Sequence, residues 1–145
     1  MDDFKKKVAE YFNFLILDFN FELEISNDRL ALFRSEKCVI EVFHDRGQIF
    51  INIINPQDKE KYDLGHVINA SDSAVDFYYE VNGLSCLDKE LSRLKKYLLS
   101  YCKELLKGNF NISEKMNKYF EERKKSFNFP KKIGKSKIIY PDRDK

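Results

Sequence analysis

The apolar residues at the start of the chain recur at intervals of three and four. They are Phe4, Val8, Tyr11, Phe12 and Leu15. This spacing places them on one face of a helix. Asp2 and Asp3 add carboxylates where the free N–H groups and the dipole of a helix favour negative charge. The pattern therefore predicts an amphipathic helix over residues 3–17.

The hydrophobic period changes to two after residue 20. Phe21, Leu23 and Ile25 alternate with Glu22 and Glu24, as in a half-buried strand. Three further short runs are apolar or rich in β-branched and aromatic residues, namely residues 31–33, 38–43 and 49–54. The last two runs are separated by residues that include Gly47, which can adopt a positive φ, so they predict a hairpin. We expect a four-stranded antiparallel meander that ends at Asn55-Pro56, because proline cannot donate a ladder hydrogen bond.

Residues 57–83 have a weaker pattern. Leu64, Val67 and Ile68 suggest a short helix or turn. The alternation of apolar and polar residues from Val75 to Val81 fits a fifth strand, and Asn82-Gly83 is a turn signal.

The strongest pattern follows this stretch. Seven residues share one helical stripe: Leu84, Leu87, Leu91, Leu94, Leu98, Tyr101 and Leu105. Ser85 is placed to cap the start of this helix and Gly108 its end. The opposite face carries four basic residues, Lys89, Arg93, Lys96 and Lys103. The stripe favours packing on the sheet over a coiled coil, because the sheet needs a cover.

These elements predict an α+β fold with an N-terminal helix, a four- to five-stranded antiparallel meander and a long C-terminal helix packed on the sheet. A short final helix is expected over residues 113–125, where Met116, Tyr119 and Phe120 share one side. Residues 1–125 then form a single domain, and residues 126–145 form a basic tail. The 43% of hydrophobic residues, with 13 Phe and 8 Tyr, is enough to build a core.

The cysteines and the N-terminus indicate the compartment. The chain has an odd number of cysteines, and none of the three, Cys38, Cys86 and Cys102, has CxxC spacing. We therefore expect buried free thiols in a reducing environment. The apolar run after Lys5–Lys7 is interrupted by Glu10 and is too short for a signal peptide or a membrane span. These features predict a soluble, cytoplasmic protein.

The sequence contains no motif for catalysis. His44 and His66 are the two histidines, and neither lies near a nucleophile motif or another ligand at metal-binding spacing. The five glycines are scattered singly and form no phosphate-binding loop. We therefore predict that the chain is not an enzyme and uses no metal or cofactor. An enzyme is the third alternative, and it would need a deep pocket that holds His44 or His66 with carboxylates.

The charge is unevenly distributed along the chain. Residues 1–70 carry 9 basic and 13 acidic side chains, whereas residues 113–145 carry 11 basic and 5 acidic ones. Seven basic residues lie close together at the end of the domain and in the tail, with no acid between them: Arg123, Lys124, Lys125, Lys131, Lys132, Lys135 and Lys137. Interleaved Phe127, Phe129, Ile133 and Ile138 make a nucleic-acid-binding tail one interpretation. A solvated terminus that keeps the protein soluble is the other.

A second candidate surface lies between Asn69 and Gly83. It contains three acidic and two tyrosine residues, namely Asp72, Asp76, Tyr78, Tyr79 and Glu80. Tyrosines beside carboxylates are typical of protein-recognition surfaces, because tyrosine offers a large contact area at a low entropic cost. The alternative is an edge strand with ordinary solvent-facing acids.

Two stretches of the chain have a familiar layout: the helix end from Tyr97 to Phe110, and the strand pair from Cys38 to Ile54, joined through Asp45-Arg46-Gly47. With these stretches, the layout of the chain resembles that of small bacterial immunity proteins of polymorphic toxin and contact-dependent inhibition systems. It covers about residues 4–120 and involves no diagnostic motif. The resemblance implies tight binding to one cognate toxin domain and neutralisation of that toxin.

Overall fold

A computed structural model of the chain describes residues 2–72, 74–111, 114, 116–119 and 121. Its compact unit Met1–Asn111 contains an N-terminal helical segment, a sheet and a C-terminal helical segment. In chain order the elements are α1 (Asp2–Tyr11), α2 (Asn13–Phe19), β1 (Glu22–Ser26), β2 (Leu30–Arg34), β3 (Val39–Asp45), β4 (Gln48–Ile54), β5 (Lys61–Asp63), α3 (Leu64–Ser71), α4 (Leu87–Tyr101) and α5 (Lys103–Leu106). The α+β fold class is confirmed.

The predicted N-terminal helix is present but interrupted. The break falls at Phe12, where φ is −104° and ψ is 16°, so one predicted helix is two, α1 and α2. The predicted apolar face is otherwise correct, because Phe4, Val8, Phe12 and Leu15 are fully buried. Helix α2 ends where Asn20 adopts a left-handed conformation, which asparagine tolerates better than most residues.

The sheet is an antiparallel meander with strand order β1-β2-β3-β4-β5. The predicted hairpin between β3 and β4 is confirmed, and Arg46 and Gly47 both have positive φ, as a two-residue hairpin turn requires. One face of the sheet forms the core with seven buried side chains, namely Ala31, Phe33, Ile40, Val42, Ile49, Ile51 and Ile53. The first strand departs from its predicted alternation. Its register shifts between Leu23 and Ile25, and Ile25 is exposed.

The fifth strand is not where the sequence predicted it. It is β5, which pairs with the end of β4 through Asn52, Ile53 and Ile54. The predicted strand over residues 75–81 is wrong, since its described residues form no strand. Its alternation does not define one face, because Phe77 is buried whereas Val81 is 68% exposed.

The long helical segment after the sheet is confirmed, with changes at both ends. It begins with a short 3-10 helix, Gly83–Cys86, and continues as α4. The predicted Ser85 cap is wrong, because the Ser85 hydroxyl donates to the Asn82 carbonyl and no side chain caps α4. The helix breaks at Cys102 before α5, and Gly108 follows with the expected positive φ of 94°. The leucines Leu91, Leu94, Leu98 and Leu105 are buried, and α4 lies against α1 and α3.

Two of the three cysteines behave as predicted. Cys38 and Cys102 are buried free thiols. Burial raises the pKa of Cys38 to about 12 and also raises the pKa of Cys102. Cys86 is exposed, which corrects the prediction that all three would be buried.

Beyond Asn111 the described residues 114, 116–119 and 121 are helical, in agreement with a short final helix. The remainder of the predicted helix over residues 113–125 lies outside the described residues, as does the basic tail. Within the described part of the chain, no helix has both the length and the apolar character needed to span a bilayer.

Gly108 offers a test of the C-terminal packing. A Cβ atom at this position would lie 2.6 Å from the Lys37 Cβ, and its φ of +94° disfavours a side chain. Gly108→Ala should therefore lower the free energy of unfolding by about 1–2 kcal/mol or more. Urea denaturation followed by circular dichroism measures the change, with Ser100→Ala on the exposed face of α4 as control. Equal stability of the two variants would contradict this packing.

Candidate protein-binding segment

The residues between α3 and the 3-10 helix form a candidate binding surface, called here the 74–82 segment. It exposes two large apolar side chains, Tyr78 at 61% and Val81 at 68%. Asp76 is exposed beside them. Although the segment has no regular secondary structure, three buried or half-buried side chains hold it against the sheet and α4.

Tyr79 is the first of these anchors. Its hydroxyl lies 2.9 Å from the Asp63 Oδ1 and 3.2 Å from the Ile51 carbonyl oxygen, within hydrogen-bond distance of both. The Gln48 amide donates to the Tyr79 carbonyl at 3.0 Å. These bonds attach the segment to β4, along the part of that strand that β5 does not cover.

Phe77 is the second anchor. Its ring lies edge-on to Tyr79 at 5.0 Å and to Tyr97 of α4 at 4.9 Å. The Tyr79 ring in turn contacts Phe50, which stacks on Phe43 across the β3–β4 pair at 5.2 Å. A continuous row of aromatic rings therefore runs from α4, through the segment, to the sheet.

Arg93 of α4 is the third anchor. Its guanidinium donates to the Tyr78 carbonyl at 2.8 Å and to both oxygens of Glu90, at 2.9 Å and 3.2 Å. The Glu90 side chain is only 1% exposed. The guanidinium also lies between 5.3 and 5.7 Å from the ring centroids of Phe77, Tyr78 and Tyr97. Arg93 thus neutralises a buried carboxylate and fixes the backbone of the segment.

Asp63 connects these anchors to the start of α3. Its Oδ2 accepts the backbone N–H of His66 at 3.3 Å, so it is the N-cap of that helix. Burial raises the pKa of the Asp63 carboxyl, although nearby His66 and the hydrogen bond from Tyr79 act in the opposite direction. Burial and the negative charge of Asp63 raise the pKa of Tyr79 well above its ordinary value. The pair is therefore a half-buried carboxylate that accepts a hydrogen bond from a neutral phenol.

The five residues predicted for partner binding do not share one surface. Tyr79 is turned inward by the contacts above. Asp72 ends α3 and accepts a hydrogen bond from Tyr101 at 3.4 Å. Glu80 is 38% exposed and lies 3.8 Å from Arg93. The candidate binding groups that remain accessible in the segment are therefore Asp76, Tyr78, Glu80 and, in addition, Val81.

Sequence reasoning missed the groups that hold the segment in place. Arg93 was predicted on the solvent face of the helix, but only 22% of its side chain is exposed. The i, i+3 spacing of Glu90 and Arg93 was the available signal for an ion pair. No local pattern indicated that this pair would be covered by Phe77 and Tyr78.

The two histidines occupy different elements. His44 lies within β3, opposite Ile49 of β4. Its Nε2 lies 2.6 Å from the Asp28 carbonyl oxygen, and its ring is 4.7 Å from Phe4. His66 lies in the first turn of α3. Among the residues that the structure describes, no three His, Cys, Asp or Glu side chains converge as metal ligands would.

The seven basic residues predicted for nucleic-acid binding lie outside the described residues. They are Arg123, Lys124, Lys125, Lys131, Lys132, Lys135 and Lys137.

Comparisons with protein-family models, with curated proteins and with solved structures found no match to this chain.

The raised pKa of Asp63 predicts a specific pH dependence. Burial disfavours the charged form in the folded state, so the folded chain takes up a proton more readily than the unfolded chain. The contribution of Asp63 to stability therefore decreases as pH rises from about 4 through its raised pKa. Asp63→Asn keeps a capping oxygen and removes the charge, so its stability relative to wild type should be higher at about pH 6 than at about pH 4.

Urea unfolding of both proteins across this pH range measures the difference. Glu22→Gln, an exposed carboxylate on β1, serves as the control and should show a much smaller change. A constant stability difference between Asp63→Asn and wild type at every pH would contradict the burial of the charge.

Proposed function

We propose that this chain is an immunity protein, similar in action to an antitoxin, that binds and neutralises a cognate bacterial toxin domain through the 74–82 segment. The observation that carries the proposal is an exposed tyrosine and an exposed valine on a segment that its neighbours hold in place. Val81 and Tyr78 face solvent, whereas Phe77 and Tyr79 on either side of Tyr78 are held inward.

The anchoring of the segment favours binding on energetic grounds. A loop that is already ordered loses little conformational freedom on association, so more of the contact energy contributes to affinity. Tyrosine is frequent among the residues that dominate interface energies, because its large ring has few rotatable bonds. Tyr78 combines both properties, since Arg93 binds its carbonyl and contacts its ring.

The charge of the segment favours a basic partner. Asp76 and Glu80 lie beside Tyr78, and residues 1–70 carry more acidic than basic side chains. Many toxin domains that cleave nucleic acids have a basic surface, and complementary charge speeds the encounter of two proteins. Because the whole chain carries a net charge of +2, this attraction depends on the local acidic surface.

Co-expression of the chain with the product of the adjacent gene tests the proposal. We expect the two proteins to co-purify and the growth defect caused by the neighbour to disappear. Tyr78→Ala/Val81→Asp should weaken the complex by about 100-fold, because each position removes contact area or introduces a charge. The control is Leu17→Asp, which alters another exposed apolar side chain outside the segment. A non-toxic neighbour that does not bind the chain would refute the proposal.

The second candidate function is a nucleic-acid-binding accessory protein. It is favoured by the seven basic residues between Arg123 and Lys137 with no acid between them. This function predicts RNA or DNA binding that weakens steeply with salt and is lost when the chain is truncated after Glu122. Binding that survives the truncation would exclude the tail as the binding element.

A further inference from the structure

The 74–82 segment is too small to form a complete protein interface, so a bound protein must also contact residues outside the segment. Stable interfaces use about 20–30 residues on each side. Five residues of the segment are exposed, Ala74, Asp76, Tyr78, Val81 and Asn82, and Glu80 is half-buried. A partner that binds it, as proposed above, must also cover an adjoining surface.

Two surfaces adjoin the segment, and their charges differ. On one side, α4 presents the exposed lysines Lys89 and Lys96. On the other side, the row of rings from Tyr79 through Phe50 leads to Phe43 on the face of the sheet opposite the core. A basic partner attracted by Asp76 and Glu80 would be repelled by the lysines, so the sheet face is the favoured direction.

The sheet face holds a shallow, open groove of about 380 Å³ at Phe43. Glu41, Phe43 and Asp45 lie on the same face of β3, since alternate residues of a strand point the same way. Leu30 adds apolar surface opposite Phe43, and Arg29 and His44 complete the lining. Phe43 and Leu30 are half-buried and Asp45 is exposed, so the floor of the groove is apolar and carboxylates lie on both sides of the aromatic ring.

We propose that this groove binds an arginine side chain of the same protein partner, with its guanidinium over the Phe43 ring between Glu41 and Asp45. The inference rests on the proposed function for the identity of the partner. It adds a second contact surface and a chemical requirement that the segment alone does not impose.

Arginine fits the groove better than lysine for two reasons. A planar guanidinium stacks on an aromatic face and loses less hydration than an ammonium group. It can also donate to two carboxylates from different edges. Glu41 already accepts from Asn52 at 2.8 Å and pairs with Lys61 at 3.4 Å, and both contacts use its Oε1. Its other oxygen makes neither of these contacts. Arg29 opposes an incoming cation from the rim, so stacking on Phe43 must supply part of the affinity.

The test uses hexa-arginine and hexalysine peptides as probes of the full chain, by calorimetry at physiological salt. Hexa-arginine should bind about threefold or more tightly than hexalysine, because the charges are equal and only stacking and fork geometry differ. Glu41→Gln/Asp45→Asn should weaken hexa-arginine binding by about fivefold, and Phe43→Leu should remove the preference for arginine. The matched control Glu22→Gln/Glu24→Gln removes two carboxylates from β1 and should change the affinity by less than about twofold.

Amide shifts in NMR spectra locate the probe and should be largest around Leu30 and Phe43. Equal affinity for the two peptides, or equal effects of the two double variants, would overturn the inference. If the cognate partner binds and is unaffected by Glu41→Gln/Asp45→Asn, the groove proposal alone fails. If the peptides select the groove but no toxin binds, the proposed function alone fails.

Discussion

Replacing Arg93 by methionine should lower the free energy of unfolding by about 3–5 kcal/mol, the range expected when one partner of a buried ion pair is removed. The reason is Glu90, whose side chain is 1% exposed and whose two oxygens both accept from Arg93. Methionine fills a similar volume but cannot donate. The Glu90 carboxylate would then remain buried without its principal counter-charge. Denaturation by urea, followed by circular dichroism, measures the change.

A second substitution separates charge from packing in this prediction. Glu90→Gln/Arg93→Met removes both charges, so it should recover about half or more of the stability lost in Arg93→Met. Lys96→Met on the exposed face of the same helix is the control and should change stability by less than about 0.5 kcal/mol. If Arg93→Met and Lys96→Met were equally stable, the guanidinium would have no structural role. If the double variant recovered nothing, the loss would come from packing and not from the unpaired carboxylate.

The elements predicted well from the sequence are those whose periodicity continues over several residues. Strands β3 and β4 follow a period of two and are joined by a two-residue turn containing Gly47, so local signals and tertiary pairing agree. The prediction of a helix from the leucine stripe of α4 is correct for the same reason, since Leu91, Leu94 and Leu98 are all buried. These periodic patterns arise because one face of each element is buried against the rest of the unit.

The fifth strand shows the limit of this reasoning. Apolar and polar residues alternate over residues 75–81 as clearly as they do in β1, but β4 pairs with the three residues of β5 instead. A strand of three residues is too short to show a recognisable hydrophobic period. Elsewhere along β4 and its preceding turn the contacts are isolated, such as the Tyr79 hydroxyl on the Ile51 carbonyl and the Gly83 N–H on the Gly47 carbonyl. Contacts between residues about 30 positions apart leave no local pattern, so the anchors of the candidate site could not be predicted.

Arg93 illustrates the same limit for charged residues. Its position opposite the leucine stripe predicts solvent exposure, because a helix with one apolar face usually turns its charges to water. The structure covers this face with Phe77 and Tyr78, and both the charge and the stem of Arg93 become part of the packing. Of the predicted binding residues, Asp76 and Tyr78 are exposed, whereas Tyr79 holds the segment in place. Their role in binding a partner stays a prediction, and the sequence pattern did not identify Arg93 as an anchor.

Phe77→Ala should lower the free energy of unfolding by about 3 kcal/mol, near the low end for a buried phenylalanine. The ring is 8% exposed and contacts Tyr79, Tyr97 and the Arg93 guanidinium. Removing it would leave a cavity between α4, Gly65 and the 74–82 segment. Because the segment has no strand pairing of its own, its amide hydrogens should also exchange faster than those of β3 and β4. Urea denaturation and hydrogen exchange measured by mass spectrometry follow the two effects.

The neighbouring Tyr78→Ala is the matched comparison, and it links the stability of the segment to the proposed binding. Tyr78 is 61% exposed, so its removal should change stability by less than about 0.5 kcal/mol and leave exchange in the segment unchanged. If the segment binds a partner, Tyr78→Ala should lower affinity through lost contacts, whereas Phe77→Ala should lower it through lost order. Raising the temperature of the binding assay should lower the affinity of the Phe77→Ala variant for the partner more than that of the Tyr78→Ala variant. The reason is that only the Phe77→Ala variant must reorder the segment on binding. Equal stability of the two variants would show that Phe77 does not anchor the segment.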